Sequence, residues 1–261
     1  MKATFYMLPL YIKSNDAWRL GKLLRGLDTR NHRVLVLDRS RSFVKKLHEA
    51  LRDADWIQKI EDLQQFAGSG GGIGVAEILK GLVGADVQGI ESVIICRTYL
   101  SNYAAQRSII VPIMLYKIRL EPKGVFDDNP LDALRLEALE SVLYDLTVVA
   151  GRAVRSEKDG YPFTVLLGAG TIVRVVQNHP DQAMDIYENF VETFEGEDLN
   201  PEVCVYDLDS GSEVPLEDLE DLEDIEVKRF EELSEDERKG LIYWMNEKII
   251  TRWGDATRIT K

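Results

Sequence analysis

The stretch AGSGGGIGVAEI carries Gly68, Ser69, Gly70, Gly71, Gly72 and Gly74 in a span of seven residues. A glycine-rich loop that opens a helix turns free backbone N–H groups towards one point, and such a point suits a phosphate. The spacing departs from the known phosphate fingerprints. From Gly68 or Gly70, the third glycine of a G-x-G-x-x-G pattern falls on Ile73 or Val75, and no Gly-Lys-Ser/Thr follows. The residues before the loop read as helix, so the usual strand-loop-helix order is missing. The first reading is therefore a flexible turn between two helices, and a nucleotide- or phosphate-ligand site on Gly68–Gly74 is the second. Ser69 has the residue type of a nucleophile, but an elbow needs a preceding strand and a histidine base. The histidines are His32, His48 and His179, and none stands in a supporting motif.

Three other places have chemically suggestive spacing. In DLDSGSE, Asp207, Asp209 and Glu213 alternate as calcium ligands do, yet Gly211 occupies the fifth ligand position, so the segment reads as a hairpin turn. In FTVLLGAGTIVRVV, the Gly168-Ala169-Gly170 step reads as a bend or bulge between strands. Asp38 follows VLVL at the carboxyl end of an expected strand, where α/β proteins place ligand contacts, and an aspartate capping the next turn explains it as well. None of these patterns calls for a metal or a cofactor.

Charge is the most uneven property of the chain. Residues 1–60 hold 13 Lys and Arg against 6 Asp and Glu, or +7, whereas residues 181–240 hold 4 against 23, or −19. The basic cluster of Arg30, Arg33, Arg39, Arg41, Lys45 and Lys46 is expected to face the acidic segment, within the chain or across a dimer. An acidic surface repels nucleic acid and attracts basic proteins. Its densest part is PLEDLEDLEDIEV. With a period of three, Leu216, Leu219, Leu222 and Ile225 fall back by about 60° per step on a helix, so they cannot share one face. A short turn anchored by two leucines is expected, with Glu213, Glu217, Asp218, Glu220, Asp221, Glu223 and Asp224 turned outward.

The elements that would carry these residues alternate. Residues 3–12 and HRVLVLD read as strands around a helix DAWRLGKLLRGL, and a long helix is expected from Ser42 to Phe66, on the spacing of Phe43, Leu47, Leu51, Ala54, Ile57, Ile60 and Leu63. VAEILKGLVG reads as a further helix, and SVIICRTYL and SIIVPIMLYKIRL as strands. EPKGVFDDNP, residues 121–130, is the best boundary, giving an N-terminal α/β subdomain over 1–125 and a C-terminal α+β subdomain over 126–261. Asn129 and Pro130 open a helix, PDQAMDIYENFVETF is another, and VCVYDL with SEVPL forms a hairpin. Ser234 and Glu237 form a capping box before LIYWMNEKIITRW, whose Tyr243, Trp244, Met245 and Trp253 suit a core or a homodimer face. The class is α/β, or α+β, with a mixed sheet and flanking helices.

Cys96 and Cys204 lie in apolar runs, which fits a reducing compartment, and the chain reads as cytoplasmic. With no catalytic constellation in the sequence, the leading expectation is a non-enzymatic acidic interaction module. It would bind, and inhibit or regulate, a basic partner such as a nucleic-acid-binding protein. The alternatives are the phosphate-ligand enzyme and a structural or assembly subunit.

Overall fold

The computed structural model describes residues 2–77, 87–97, 139, 143, 154–155, 162–192 and 200–254. In chain order the strands are β1 (Lys2–Met7), β2 (Leu10–Tyr11), β3 (Arg33–Asp38), β4 (Asp55–Ile57), β5 (Gly72–Glu77) and β6 (Val87–Gln88). They continue as β7 (Ser92–Ile95), β8 (Val154–Arg155), β9 (Phe163–Leu166), β10 (Asn200–Tyr206), β11 (Glu213–Pro215) and β12 (Lys228–Arg229). The helices are α1 (Ala17–Leu24), α2 (Arg41–Leu51), α3 (Ile60–Ala67), α4 (Gly170–Asn178), α5 (Pro180–Glu192), α6 (Leu219–Glu223) and α7 (Glu235–Gly254).

In β3, Val34 and Val36 project to one face and Leu35 and Leu37 to the other, and all four are fully buried. A strand covered on both sides needs that doubly apolar pattern. It sits inside an eight-stranded sheet of order β11-β10-β1-β9-β7-β3-β5-β4, in which every adjacent pair is parallel except β10 and β11. Leu20 and Leu24 of α1, Phe43 and Leu47 of α2 and Trp244 and Met245 of α7 cover the Val34 face. Leu63 of α3, Ile172 of α4, Tyr187 of α5 and Leu222 of α6 cover the other. The protein is therefore an α/β fold with a mixed, mostly parallel sheet. Segment 121–130 lies outside the described residues, and strands from both sides of it share this sheet, because β1 pairs with both β9 and β10.

Several local expectations hold. The β1-α1-β3 order is present, β10 and β11 pair as the hairpin, and Ser234 and Glu237 exchange the two bonds of a capping box, Ser234 N to Glu237 Oε2 at 2.6 Å and Glu237 N to Ser234 Oγ at 3.2 Å. Others are corrected. The single helix expected from Ser42 to Phe66 is α2, the edge strand β4 and α3. Arg52 ends α2 at φ 66° and ψ −59°, and Asp53 N closes a tight turn on Leu51 O at 2.8 Å. FTVLLGAGTIVRVVQ, expected as two strands or one bent strand, is neither: β9 is followed by a loop and then by α4. Ile172, Val173, Val175 and Val176 are all buried, and that packing overrides their β-branched preference for strands. GIGVAE is β5 rather than the start of a helix. The rest of VAEILKGLVG, the strand SIIVPIMLYKIRL and the Asn129–Pro130 helix start lie outside the described residues. No described helix is long and apolar enough to cross a membrane.

Candidate functional site

The glycine loop lies at the amino end of β5. Gly71 and Gly72 hold φ of 139° and 135°, where a side chain is strained, and Gly72 N donates to His32 O at 3.0 Å. A Cβ on Gly71 would collide with Thr29 O, and one on Gly74 would lie 2.6 Å from Ile57 Cδ1. These glycines let a loop and a strand approach their neighbours closely. A strand follows the loop rather than a helix, which corrects both readings: neither the turn between two helices nor the helix-terminus geometry of a phosphate site on Gly68, Ser69, Gly70, Gly71, Gly72 and Gly74 is what stands here. The Ser69 hydroxyl donates weakly to Gly71 O at 3.5 Å.

Parallel α/β sheets bind ligands at the carboxyl edge, where adjacent strands send their chains to opposite faces. Here β1 leads to α1 on one face and β9 leads to α4 on the other. The crevice between them is filled by the protein itself. Ala169 N donates to Leu8 O at 3.1 Å, and a Cβ on Gly170 would lie 2.9 Å from the Leu10 carbonyl and from Val227 Cγ1. Two strands along, Asp38 is held by Arg97, which follows β7: Nε meets Oδ2 at 2.8 Å and Nη2 meets Oδ1 at 2.9 Å. Asp38 also accepts from Ser40 N at 2.7 Å, so it caps the turn into α2. Burial pushes its carboxyl above the ordinary aspartate value, against the pull of the Arg97 bonds. Arg97 Nη1 reaches the Ser14 hydroxyl at 3.1 Å, and its guanidinium lies 3.8 Å from the Phe43 ring centre. The sequence marks Asp38 but gives no signal for Arg97, 59 residues away.

The DLDSGSE turn is held by its own chain. Asp207 accepts from Asp209 N at 3.0 Å and Ser210 N at 3.2 Å, and Asp209 pairs with Lys228. Glu213 takes Lys248 Nζ at 2.6 Å and Trp244 Nε1 at 2.8 Å. Burial raises the Glu213 carboxyl, but those hydrogen bonds outweigh it and hold it below the usual range. Glu213 therefore anchors β11 to α7 and is not part of the outward acidic array. Among the described residues, no group of three His, Cys, Asp or Glu could hold a metal ion.

That array does form around α6. Leu216, Leu222 and Ile225 are buried, while Glu217, Asp218, Asp221, Glu223 and Asp224 are exposed, and the Glu220 side chain lies outside the described residues. Gln177 of α4 fixes the turn by donating to Leu222 O and Ile225 O, both at 2.8 Å. Beside it, α5 exposes Asp181, Asp185, Glu188 and Glu192, whose i, i+4, i+7, i+11 spacing is one stripe. The stripe was legible in PDQAMDIYENFVETF as the polar complement of Ala183, Tyr187 and Phe190. The structure adds that both groups lie on one side of the sheet, and Val203 N of β10 donates to the Tyr187 hydroxyl at 3.4 Å.

The basic cluster does not face this array within the chain. Arg41, Lys45 and Lys46 are exposed on α2, whose buried residues pack on the opposite face of the sheet from α5 and α6. Arg30 pairs with Asp28 at 2.8 Å, and Arg33 pairs with Glu91. Among the described residues, Lys13 and Arg19 instead make ion pairs from the amino-terminal half to the acidic segment, at 2.5 and 3.8 Å from Glu231. In α7, Leu241, Trp244, Met245 and Ile249 are core, and Tyr243 is exposed.

No protein-family model, curated protein or solved structure matches the chain.

Proposed function

We propose that the protein is an acidic interaction module, which presents the α5 and α6 carboxylates to a basic surface on another protein. The observation that carries this reading is a division within one acidic segment. Asp209, Glu213, Glu226, Glu231, Glu232, Glu235 and Glu237 all pair with cations of the same chain. Glu217, Asp218, Asp221, Glu223 and Asp224, and Asp181, Asp185, Glu188 and Glu192 of α5, make no ion pair among the described residues. On α5 the pairs Asp181–Asp185 and Glu188–Glu192 set like charges one turn apart, each costing about 0.2–0.5 kcal/mol. A basic partner would relieve that repulsion, and carboxylates held in close array can occupy positions built for phosphates. A partner whose basic surface binds nucleic acid would then be inhibited by competition.

Titration of a lysine-rich peptide against the full chain tests the reading. Affinity should fall by about tenfold or more between 50 and 200 mM salt, as counter-ions compete for the array. Binding indifferent to salt would contradict it.

A further inference from the structure

We infer a second binding site, for a small organic oxyanion, in a pocket at the amino edge of the sheet. The pocket is a half-open cleft of about 450 Å³, within the usual range of volume for small-molecule sites. Leu27, Leu51 and Ile73 line it with apolar surface, and Arg25, Arg52 and Thr29 supply the polar groups. Gly72, from the glycine loop, forms part of the same wall. The lining thus divides into an apolar patch and two guanidiniums, which fits a compact apolar body carrying one phosphate or carboxylate.

Arg25 and Arg52 are the residues at which α1 and α2 end, so each also offsets the negative carboxyl end of its own helix. That role does not account for the backbone at Arg52. Its φ of 66° with ψ of −59° is the strained form of a three-residue turn, and it is the only non-glycine residue at positive φ among those described. Glycine would end the helix there without strain. An arginine kept in this conformation points to a use for its side chain, and strained residues cluster at ligand sites. The side chain lines the pocket, and neither Arg52 nor Arg25 has a carboxylate partner among the described residues. Arg25 is braced by a hydrogen bond from Nη2 to Ala50 O, which fixes it across the α1–α2 seam. The acid that also lines the pocket, Asp53, leaves the two cations in excess.

Thermal unfolding of the full chain with phenyl phosphate, benzoate and inorganic phosphate, at matched ionic strength, tests the site. Phenyl phosphate at about ten times its Kd should raise Tm by roughly 3 °C, more than benzoate or inorganic phosphate does at the same concentration, because it fills the apolar patch and meets both arginines. Arg52→Gly removes the strain, so it should match or exceed the wild-type Tm without ligand and yet lose the shift. Arg25→Gln should lose the shift as well. No shift with phenyl phosphate would overturn the proposal. So would equal shifts with all three probes, or a phenyl phosphate shift that survives in both variants.

Discussion

Arg97 meets both carboxylate oxygens of Asp38 in a two-pronged ion pair, with the side chains only 3% and 1% exposed. The pair joins the carboxyl ends of β3 and β7, at the edge where parallel sheets place ligands. Asp38→Asn would leave a buried guanidinium without its counter-charge and should cost about 3–5 kcal/mol. Asp38→Leu with Arg97→Met removes both charges together and should recover most of the loss. Urea unfolding of the three chains checks both statements. Equal losses in the single and double variants would show that the site needs charge for a reason other than pairing.

A second prediction concerns Lys228, which gathers Glu237 at 2.7 Å, Glu226 at 3.4 Å and Asp209 around one ammonium. The hydrogen bond from Lys228, then that from Ser234, draws the Glu237 carboxyl down to about 2 from its ordinary 4.5. For Lys228 burial is the largest influence and pulls its pKa down, but the bonds to Asp209 and Glu237 outweigh it and the net shift is upward. Glu237 therefore contributes stability above its unfolded value near 4.5, which is lost as pH falls towards 2. Lys228 contributes below 10.5, and its share is lost as pH rises through the raised value. Lys228→Met should cost about 2 kcal/mol at neutral pH and flatten both limbs of the stability profile. Denaturant unfolding across that range measures it.

The glycine loop separates packing from ligand binding. A Cβ on Gly74 would lie 2.6 Å from Ile57 Cδ1 and 3.0 Å from the Phe66 ring, whereas one on Gly70 meets nothing within 4 Å. Gly74→Ala should cost about 1–3 kcal/mol through overpacking. Gly70→Ala should change stability by less than about 0.5 kcal/mol. Comparison of the two melting temperatures decides whether each glycine is there for space.

Thr171 offers a smaller test. Its side chain is buried, 5% exposed, and its hydroxyl has no hydrogen-bond partner among the described residues. Thr171→Val removes an unsatisfied polar group and keeps the shape, so Tm should stay level or rise.

The sequence carried the fold where the pattern and the element had the same cause. HRVLVLD is apolar on both faces because β3 is covered on both, and PDQAMDIYENFVETF alternates at helical spacing because α5 lies flat on one face. It misled where one pattern ran through three elements, α2, β4 and α3. Ile57 belongs to an edge strand, yet it is buried at helical spacing from Leu51 and Leu63, although Leu51 packs on the other face of the sheet, so the period passed through β4 unbroken. The break at Arg52 has no glycine or proline to announce it, because it is strained. Of the site, the acidic residues around α6 were legible in their triplets. Which carboxylates are already paired was not: Glu213 meets Lys248 across 35 residues, a proximity that only the packing of α7 on β11 creates.

In the proposed function the α5 and α6 face, rather than net charge, engages a basic partner. The most direct measurement compares two variants of equal charge in their affinity for a lysine-rich peptide. One neutralises Glu217, Asp218, Asp221, Glu223 and Asp224; the other neutralises Glu49, Asp55, Glu61, Asp236 and Glu247, which are also exposed but lie outside α5 and α6. Circular dichroism confirms that each is folded. The first variant should lose about tenfold or more in affinity and the second less than about twofold. Equal losses in the two would contradict the claim.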